Sequence, residues 1–181
     1  MRARVPAWTL SRVTDRLYRA PQPRRPHLAE IEQAGIKTIF NLRGLHPFPG
    51  QDRWGAACVK AGFAYRELPA LAADAPQRWM IERLLSAFEQ AAFPVLIHCK
   101  AGADRTGFAA ALFLHYHEGW DITEAARDQL TPAFGHDKNS RAGILDFFFA
   151  TFAAQSGDQT FDQWWRGYDP ASVREAFDRK L

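Results

Sequence analysis

Residues 94–116 read PVLIHCKAGADRTGFAAALFLHY, and this stretch decides the fold. A short apolar run at 94–97 leads into a loop that contains glycine, and a second apolar run extends from Phe108 to Tyr116. This order predicts a buried strand, a tight loop and a helix. The backbone N–H groups of such a loop and the positive end of the helix dipole point into one concavity, so the local structure favours binding of an anion.

The loop between the predicted strand and helix carries two reactive side chains. Cys99 opens the loop and Arg105 closes it. A thiol beside a helix N-terminus and cationic groups is expected to ionise easily, and the planar guanidinium matches two oxygens of a phosphate. The small side chains of Ala101, Gly102 and Ala103 let an anion approach the backbone closely. A nucleophile and an oxyanion cradle on one loop predict a site for phosphoryl transfer.

Strand-like and helix-like stretches alternate up to about residue 118. The predicted strands are 13–20, 36–42, 63–68 and 95–98, and the predicted helices are 26–34, 51–61 and 74–90. Because such alternation implies parallel strands joined by right-handed crossovers, the sequence predicts an α/β fold: a three-layer sandwich with a central, mostly parallel sheet flanked by helices. Ligands bind such sheets beyond the carboxyl ends of the strands, where Cys99 falls.

The remainder of the chain, 119–181, is predicted to be a helical part of the same domain. The stretch from Asp121 to Glu124 has the pattern of a capping box, and Pro170 suits the first turn of a final helix. Aromatic residues recur at helical spacing in this part and are predicted to dock it on the sheet: Phe147, Phe148, Phe149, Phe152, Trp164 and Trp165.

The composition is that of one folded domain covering residues 1–181. Hydrophobic residues make up 47% of the chain and aromatic residues 13%, which excludes a disordered segment. No apolar stretch approaches the roughly 20 residues that span a bilayer, and the N-terminus lacks the apolar core of a secretory signal. Two cysteines, one in a motif that needs a free thiolate, favour a reducing compartment, so we expect a cytoplasmic protein.

Positive charge is concentrated near the N-terminus. The net charge is +3, and residues 1–25 hold seven arginines and one acidic residue, Asp15. We interpret this segment as a solvated basic face, with residues 1–12 as a flexible N-terminus; weak contact with an anionic surface such as a phospholipid layer is the alternative. Clustered charge without a nucleic-acid-binding module does not indicate a nucleic-acid partner, and we expect none.

The loop resembles the signature of the cysteine-based protein tyrosine phosphatases, a Cys-x5-Arg-Thr loop preceded here by His98. From Cys99 to Gly107 it is most similar to the compact dual-specificity and phosphoinositide-phosphatase branches. The stretches 15–23 and 35–43 share the resemblance, which therefore spans most of 15–118. It implies a tyrosine or dual-specificity phosphatase that acts through a cysteinyl-phosphate without metal or cofactor, on a phosphorylated protein or a phosphoinositide. A phosphate-binding pseudophosphatase and a sulfur transferase are the alternatives.

Each residue of the loop has an expected role. Cys99 is the nucleophile, and Arg105 holds two equatorial oxygens of the phosphoryl group. Thr106 is expected to donate its hydroxyl to the Cys99 thiolate, with an ordinary helix-start hydroxyl as the alternative. His98 is expected to orient the loop backbone rather than to transfer a proton. Substrate binding is expected from the loop residues Lys100, Ala101, Gly102, Ala103, Asp104 and Arg105.

A general acid must protonate the leaving oxygen, and Asp74 is the first candidate. In the resembled family this aspartate lies on the loop before the helix that precedes the catalytic strand, and Asp74 is the carboxylate of the corresponding loop, 69–76. Its spacing from Cys99 is shorter than the family's, and a Trp-Pro-Asp tripeptide is absent. Asp74 is also a plausible helix N-cap, with Gln77 completing a capping box.

Two other carboxylates remain candidates for the general acid. Asp104 lies inside the loop, and its alternative role is a hydrogen-bond anchor or a charge partner for Arg105. Glu67 ends a predicted strand and is expected instead to pair with a neighbouring base. Lys100 directly follows the nucleophile, as in phosphatases that act on phosphoinositides, and a solvated rim position is its alternative.

The remaining candidates are weaker. Arg43 and the polar segment 134–140 are possible neighbours of the pocket. Cys58 is interpreted as a buried core residue, with a resolving thiol for oxidised Cys99 as the alternative. No metal site is predicted, because His115 and His117 point to different faces of their helix.

Overall fold

The computed structural model describes residues 8–43 and 51–180. The predicted loop at 43–50 and the predicted flexible N-terminus therefore lie largely outside the described residues. Five strands of the described chain form one sheet in the order β1-β2-β5-β3-β4, with β1 antiparallel to β2 and all other pairs parallel. The strands are β1 (Ser11–Arg12), β2 (Leu17–Ala20), β3 (Thr38–Asn41), β4 (Ala64–Glu67) and β5 (Val95–His98).

Helices follow the strands on both sides of the sheet. The α-helices are α1 (Leu28–Gln33), α2 (Gln51–Lys60), α3 (Arg78–Glu89), α4 (Asp104–Glu118), α5 (Ile122–Gln129), α6 (Ile144–Gln155), α7 (Phe161–Gly167) and α8 (Pro170–Asp178). Short 3-10 turns precede α1 and α6. This arrangement confirms the predicted α/β class with a mostly parallel central sheet. In the described chain, no helix is long and apolar enough to cross a membrane.

The sheet separates two hydrophobic cores because successive side chains of a strand point to opposite faces. On β5, Val95 and Ile97 pack with Cys99 in the larger core, whereas Leu96 packs in the smaller one. The larger core is built with α3 to α8, and the smaller core with α1 and α2. The sheet is therefore the middle layer of three.

The first predicted strand, 13–20, is wrong at its beginning. Residues 13–16 form a turn that joins β1 to β2. The hydroxyl of Thr14 accepts hydrogen bonds from the backbone N–H groups of Arg16 and Leu17, and local side-chain bonds of this kind compete with strand pairing. The result is a short antiparallel hairpin at the edge of the sheet.

The helix predicted to start at Asp74 begins four residues later, at Arg78. Ala75 precedes Pro76, and the proline ring disfavours helical backbone at the residue before it. Gln77 is the N-cap and makes no side-chain cap bond, while Asp74 accepts the N–H of Ala75 at 2.8 Å. The expectation that Asp74 caps this helix, with Gln77 completing a capping box, is therefore wrong.

The C-terminal helices were predicted to dock on the sheet; their aromatic side chains lie in the core that contains one face of the sheet, and they pack there against α4 and against one another. Phe148 and Trp165 are completely buried, and the ring of Phe108 on α4 lies 5.9 Å from that of Phe148. Asp121 caps α5 by accepting the N–H groups of its first turn, and Pro170 is the first residue of α8. These helices pack against α4, and the predicted loop directly precedes the N-terminus of α4.

Candidate active site

The loop predicted to hold the nucleophile connects β5 to α4 across residues 99–103. Gly102 has a φ of +72°, in the left-handed region that favours glycine. A Cβ atom at this position would lie 2.7 Å from the backbone carbon of Ala20 and 2.7 Å from the nitrogen of Pro21. The end of β2 therefore lies in direct contact with the loop, and only glycine leaves enough space at this position.

A pocket of about 410 Å³ opens beside the loop. Its lining combines the two ends of the loop with the segment after β4, which contributes a series of small and apolar residues and one carboxylate. The lining residues are Arg43, Ala70, Leu71, Ala72, Ala73, Asp74, Lys100 and Arg105. The structure thus brings together Asp74, Lys100 and Arg105, three of the residues selected from the sequence, and adds Arg43, which was a weaker candidate.

Arg105 lines this pocket, and Cys99 adjoins it in the chain. Cys99 precedes the lining residue Lys100 and is 2% exposed. The Nε of Arg105 is buried and has no hydrogen-bond partner among the described residues, so this guanidinium retains a donor for an incoming anion. Burial lowers the pKa of Arg43, and the neighbouring charge of Arg105 lowers it further.

His98 supports the loop from the other face of the sheet. It is fully buried, and its Nε2 accepts a hydrogen bond from the Nε1 of Trp54 at 3.1 Å. This bond requires the proton on Nδ1. Burial, together with the charges of Arg43 and Arg105, lowers the pKa of His98 to about 3. His98 is therefore a neutral residue that does not line the pocket.

Thr106 does not make the hydrogen bond expected from the sequence. Its side chain is completely buried in the first turn of α4, and its Oγ1 has no hydrogen-bond partner among the described residues. The hydroxyl therefore makes no hydrogen bond to Cys99 in this structure.

The three candidate acids occupy different environments. Asp74 lines the pocket together with Arg105. Glu67 is exposed at the end of β4 and accepts a hydrogen bond from the Tyr65 hydroxyl at 3.3 Å, so its expected partner, a base, is replaced by a phenol. Asp104 accepts a hydrogen bond from His136 at 2.7 Å. Of the three, Asp74 is the carboxylate that the structure brings to the pocket.

Asp104 is an anchor of the loop, in line with one of its two predicted alternatives, through a partner that the sequence did not indicate. His136 is 2% exposed and bridges Asp104 and, at 2.6 Å, Asp146 of α6. Since each ring nitrogen faces a carboxylate, both must carry a proton. Burial lowers the pKa of His136, but the two carboxylates outweigh it and raise the value to about 9.

No residue of the segment 134–140 lines this pocket. Its residue Phe134 lines a second pocket, of about 330 Å³, together with Arg19, Ala101 and Gly102. The two pockets therefore lie against different residues of the loop, and the candidate role of 134–140 beside the phosphate is not supported.

Arg19 is the residue that sequence reasoning missed. It was counted with the solvated N-terminal arginines, yet it is only 1% exposed and its guanidinium donates to the loop carbonyls of Gly102 and Ala103. The available signal was its position on β2, two residues after the buried Leu17 and therefore on the same face of the strand.

Cys58 lies in α2 and packs in the smaller core, fully buried near Trp54 and Phe63. Burial raises its pKa to about 12. These features match the interpretation of Cys58 as a core residue. Within residues 8–43 and 51–180, no group of three or more His, Cys, Asp or Glu side chains is placed to hold a metal ion.

Comparisons with known proteins agree with this geometry. A family model described as "Polymorphic toxin system, DSP-PTPase phosphatase" matches residues 14–119. The dual specificity protein phosphatase TpbA of Pseudomonas aeruginosa is 31% identical over 150 residues, which cover 76% of this chain and 64% of TpbA. The match thus spans slightly less than two thirds of that relative.

Solved structures show the same fold. The structure of P. aeruginosa TpbA in complex with phosphotyrosine has a TM-score of 0.58 and 25% identity, covering 96% of this chain and 98% of that one. A DUF442 protein from Shewanella putrefaciens has a TM-score of 0.62 and 17% identity, covering 81% and 89%. Together with the family model over the loop and the sheet, these matches show that the chain belongs to the DSP-PTPase phosphatase family.

Proposed function

We propose that this chain is a metal-independent phosphomonoesterase of the tyrosine or dual-specificity type, and that it works through a cysteinyl-phosphate. The observation that carries the proposal is the pocket beside the loop, where the nucleophile's neighbour Lys100, the guanidinium of Arg105 and the carboxylate of Asp74 converge. The buried, unpartnered Nε of Arg105 supports a role in holding phosphoryl oxygens.

The first step is an in-line attack of the Cys99 sulfur on phosphorus. An S–P bond forms while the bond between phosphorus and the leaving oxygen breaks, and Asp74 gives that oxygen its proton. Arg105 and the loop amides stabilise the charge that is spread over the three equatorial oxygens in the transition state.

The second step hydrolyses the cysteinyl-phosphate. Water attacks phosphorus, the now ionised Asp74 accepts a proton from that water, and the S–P bond breaks to release inorganic phosphate and the thiolate. Every proton and electron pair is supplied by Cys99, Asp74 and water, so the scheme needs no metal ion.

Phosphotyrosine or another phosphoprotein side chain is the first substrate class that we propose. The relative TpbA has been crystallised with phosphotyrosine. A phosphoinositide is the second class, because three cations, Arg43, Lys100 and Arg105, line the pocket with a single described carboxylate. Extra cationic groups suit a ligand with more than one phosphate.

The proposal also covers the location and the extent of the domain. A free thiolate nucleophile fits the reducing cytoplasm, and we assign the whole chain, 1–181, to one phosphatase domain.

The test compares the wild type with Cys99→Ser on phosphotyrosine peptides, phosphoserine peptides and individual phosphoinositides, each measured with and without EDTA. We expect turnover by the wild type, its inhibition by orthovanadate, and no turnover by Cys99→Ser. Because the amide cradle and Arg105 survive in the variant, inorganic phosphate should still bind to it in calorimetry.

Each rival function has its own outcome in this assay. Phosphate binding without turnover by the wild type would identify a pseudophosphatase. Turnover that disappears with EDTA and returns with added metal would contradict the cysteine mechanism, as would turnover by Cys99→Ser at the wild-type rate.

A further inference from the structure

Arg19 of β2 is a buried cation whose contacts lead to the backbone of the loop. Its Nη2 donates to the carbonyl oxygens of Gly102 at 2.7 Å and Ala103 at 3.2 Å. Its Nη1 donates to the carbonyl and side-chain oxygens of Gln129, at 3.0 and 2.7 Å. Within the described chain, no carboxylate forms a salt bridge with this guanidinium, so its bonds go to neutral oxygens.

The guanidinium keeps its charge despite this burial. Burial lowers the pKa of Arg19 to about 10, while the negative charges of Cys99 and Asp128 act in the opposite direction. The ring of Phe134 covers the guanidinium at 3.7 Å from its centroid. Arg19 is therefore a fixed positive charge on the side of the loop that faces the second pocket.

Peptide geometry turns these contacts into an orientation of the loop amides. In a trans peptide the C=O and N–H groups point in opposite directions, and the described residues contain a cis bond only at Phe93–Pro94. Fixing the carbonyls of Gly102 and Ala103 on Arg19 consequently directs the N–H groups of Ala103 and Asp104 away from Arg19. The other pocket is lined by the loop residues Lys100 and Arg105 and not by Arg19, so the side away from Arg19 is the side expected to receive the anion.

The residues that follow Arg19 also contact the backbone of the loop. The backbone N–H of Gln22 donates to the carbonyl of Lys100 at 3.2 Å, which turns the next N–H of the loop away from it. Gly102 lies against the backbone of Ala20, where a Cβ atom would be 2.7 Å from its carbonyl carbon. Segment 19–22 thus contacts one side of the loop along most of its length.

We infer that Arg19 is a positioning residue that aims the N–H groups of Ala103 and Asp104 at the phosphoryl oxygens. This inference rests on the proposed function, because it takes the loop as the phosphoryl site. Arg19 itself touches no substrate. Its guanidinium bonds the two loop carbonyls through Nη2 and the oxygens of Gln129 through Nη1, a two-nitrogen geometry that the single ammonium of lysine does not reproduce.

The test uses three variants of the full chain. Arg19→Gln removes the charge and the paired bonds, whereas Arg19→Lys keeps a charge and loses the planar fork. Arg16→Gln is the matched control, because Arg16 precedes the same strand but bonds the carbonyl of His117 and contacts Phe93. Orthovanadate affinity is measured for each, and backbone amide NMR signals are recorded with and without orthovanadate. Thermal melts verify that each variant is folded.

We expect the amide protons of Ala103 and Asp104 to move downfield when orthovanadate binds the wild type. For Arg19→Gln we expect affinity and kcat/KM to fall about 10- to 100-fold, somewhat less than the loss of a direct oxyanion donor, and the two amide shifts to shrink. The affinity and kcat/KM of Arg19→Lys should lie between those of Arg19→Gln and the wild type, and those of Arg16→Gln should equal the wild-type values. A merely structural role would lower the melting temperature without changing these amide shifts in the folded protein.

Arg19→Gln or Arg19→Lys with wild-type affinity and wild-type amide shifts would overturn the inference. If Arg19→Gln does not fold, the wild type still decides: bound orthovanadate that leaves the signals of Ala103 and Asp104 unmoved excludes the proposed orientation. A wild type that neither binds orthovanadate nor hydrolyses an aryl phosphate would instead contradict the proposed function itself.

Discussion

At the scale of single residues, the proposed mechanism assigns proton transfer in the pocket to Asp74. It is the carboxylate among the described lining residues, and the late start of α3 frees it from the capping role. Among the described residues, its carboxylate accepts a hydrogen bond from the N–H of the adjacent Ala75, which holds the carboxyl group close to its own backbone. A residue in this position can exchange a proton with a substrate without destabilising a helix.

We predict that Asp74→Asn lowers kcat for an alkyl phosphate by about 10²–10⁴-fold, the usual contribution of a general acid. An aryl phosphate with a low-pKa phenol should be affected far less, because that group departs without a proton. Asparagine keeps an oxygen for the N–H of Ala75, so the melting temperature should change little. Steady-state kinetics on both substrates measure the difference.

Glu67→Gln is the control for this substitution, since Glu67 is exposed and does not line the pocket. It should leave both rates unchanged. Equal rates of Asp74→Asn and the wild type on the alkyl phosphate would show that another group supplies the proton.

At the scale of elements, the loop is defined by its contact with the end of β2. We predict that Gly102→Ala abolishes both turnover and phosphate binding, because the added methyl group would meet the backbone of Ala20 and Pro21 at 2.7 Å. Neither side can yield without moving β2 or the loop. Activity and phosphate calorimetry on the purified variant measure the effect.

Gly119→Ala provides the matched control for that steric effect. Gly119 ends α4 with a φ of +74°, nearly that of Gly102, but nothing lies within 4 Å of a Cβ atom there. It should lose about 1–2 kcal/mol from left-handed backbone and retain activity. If both variants keep wild-type phosphate binding, the close contact with β2 does not shape the loop.

The Asp104–His136–Asp146 bridge joins the N-terminus of α4 to α6, and its charge depends on pH. The pKa of His136 is about 9 in the folded protein, against 6.5 as the ordinary value. The folded state therefore binds the proton more tightly, and the bridge stabilises the fold fully below pH 6.5. This contribution, on the order of 3 kcal/mol, is lost as the pH rises through 9.

We predict that His136→Gln removes this pH dependence and lowers the free energy of unfolding near pH 6. Denaturant unfolding at several pH values between 6 and 10 measures both effects. His115→Gln is the control, because His115 bonds a backbone carbonyl and no carboxylate. A His136→Gln variant whose stability falls between pH 7 and 9 as steeply as the wild type would contradict the bridge.

At the scale of the whole molecule, the parts predicted from sequence are those with local signals. Val95–His98 was predicted to its boundaries, because a β-branched apolar run leads straight into the glycine-bearing loop. Cys99 and Arg105 belong to the same continuous motif. The supporting contacts were not predictable, because they join distant residues: Arg19 meets Gln129 at a separation of 110 positions, and His136 meets Asp104 at 32. Contacts between residues so far apart in the chain leave no repeating pattern that a single sequence would reveal.

The sheet also determines how the two cysteines respond to oxidation. Cys99 packs in the larger core and Cys58 in the smaller, on opposite faces of the sheet. A disulfide needs Cα atoms closer than about 7 Å and Cβ vectors that point towards each other. The side chain of Cys58 points into its own core, and burial raises its pKa to about 12, which disfavours the reactive thiolate.

We therefore predict that peroxide inactivates the enzyme without forming a Cys58–Cys99 disulfide. Peptide mapping under non-reducing conditions should recover oxidised Cys99 and reduced Cys58 on separate peptides. Cys58→Ala should show the same inactivation rate and the same recovery with a thiol reductant as the wild type, because Cys58 does not form a disulfide with oxidised Cys99. The contrary result would be a Cys58–Cys99 peptide in the wild type that is absent from Cys58→Ala, together with faster irreversible loss of activity in that variant. It would show that the protein opens enough for the two cysteines to meet.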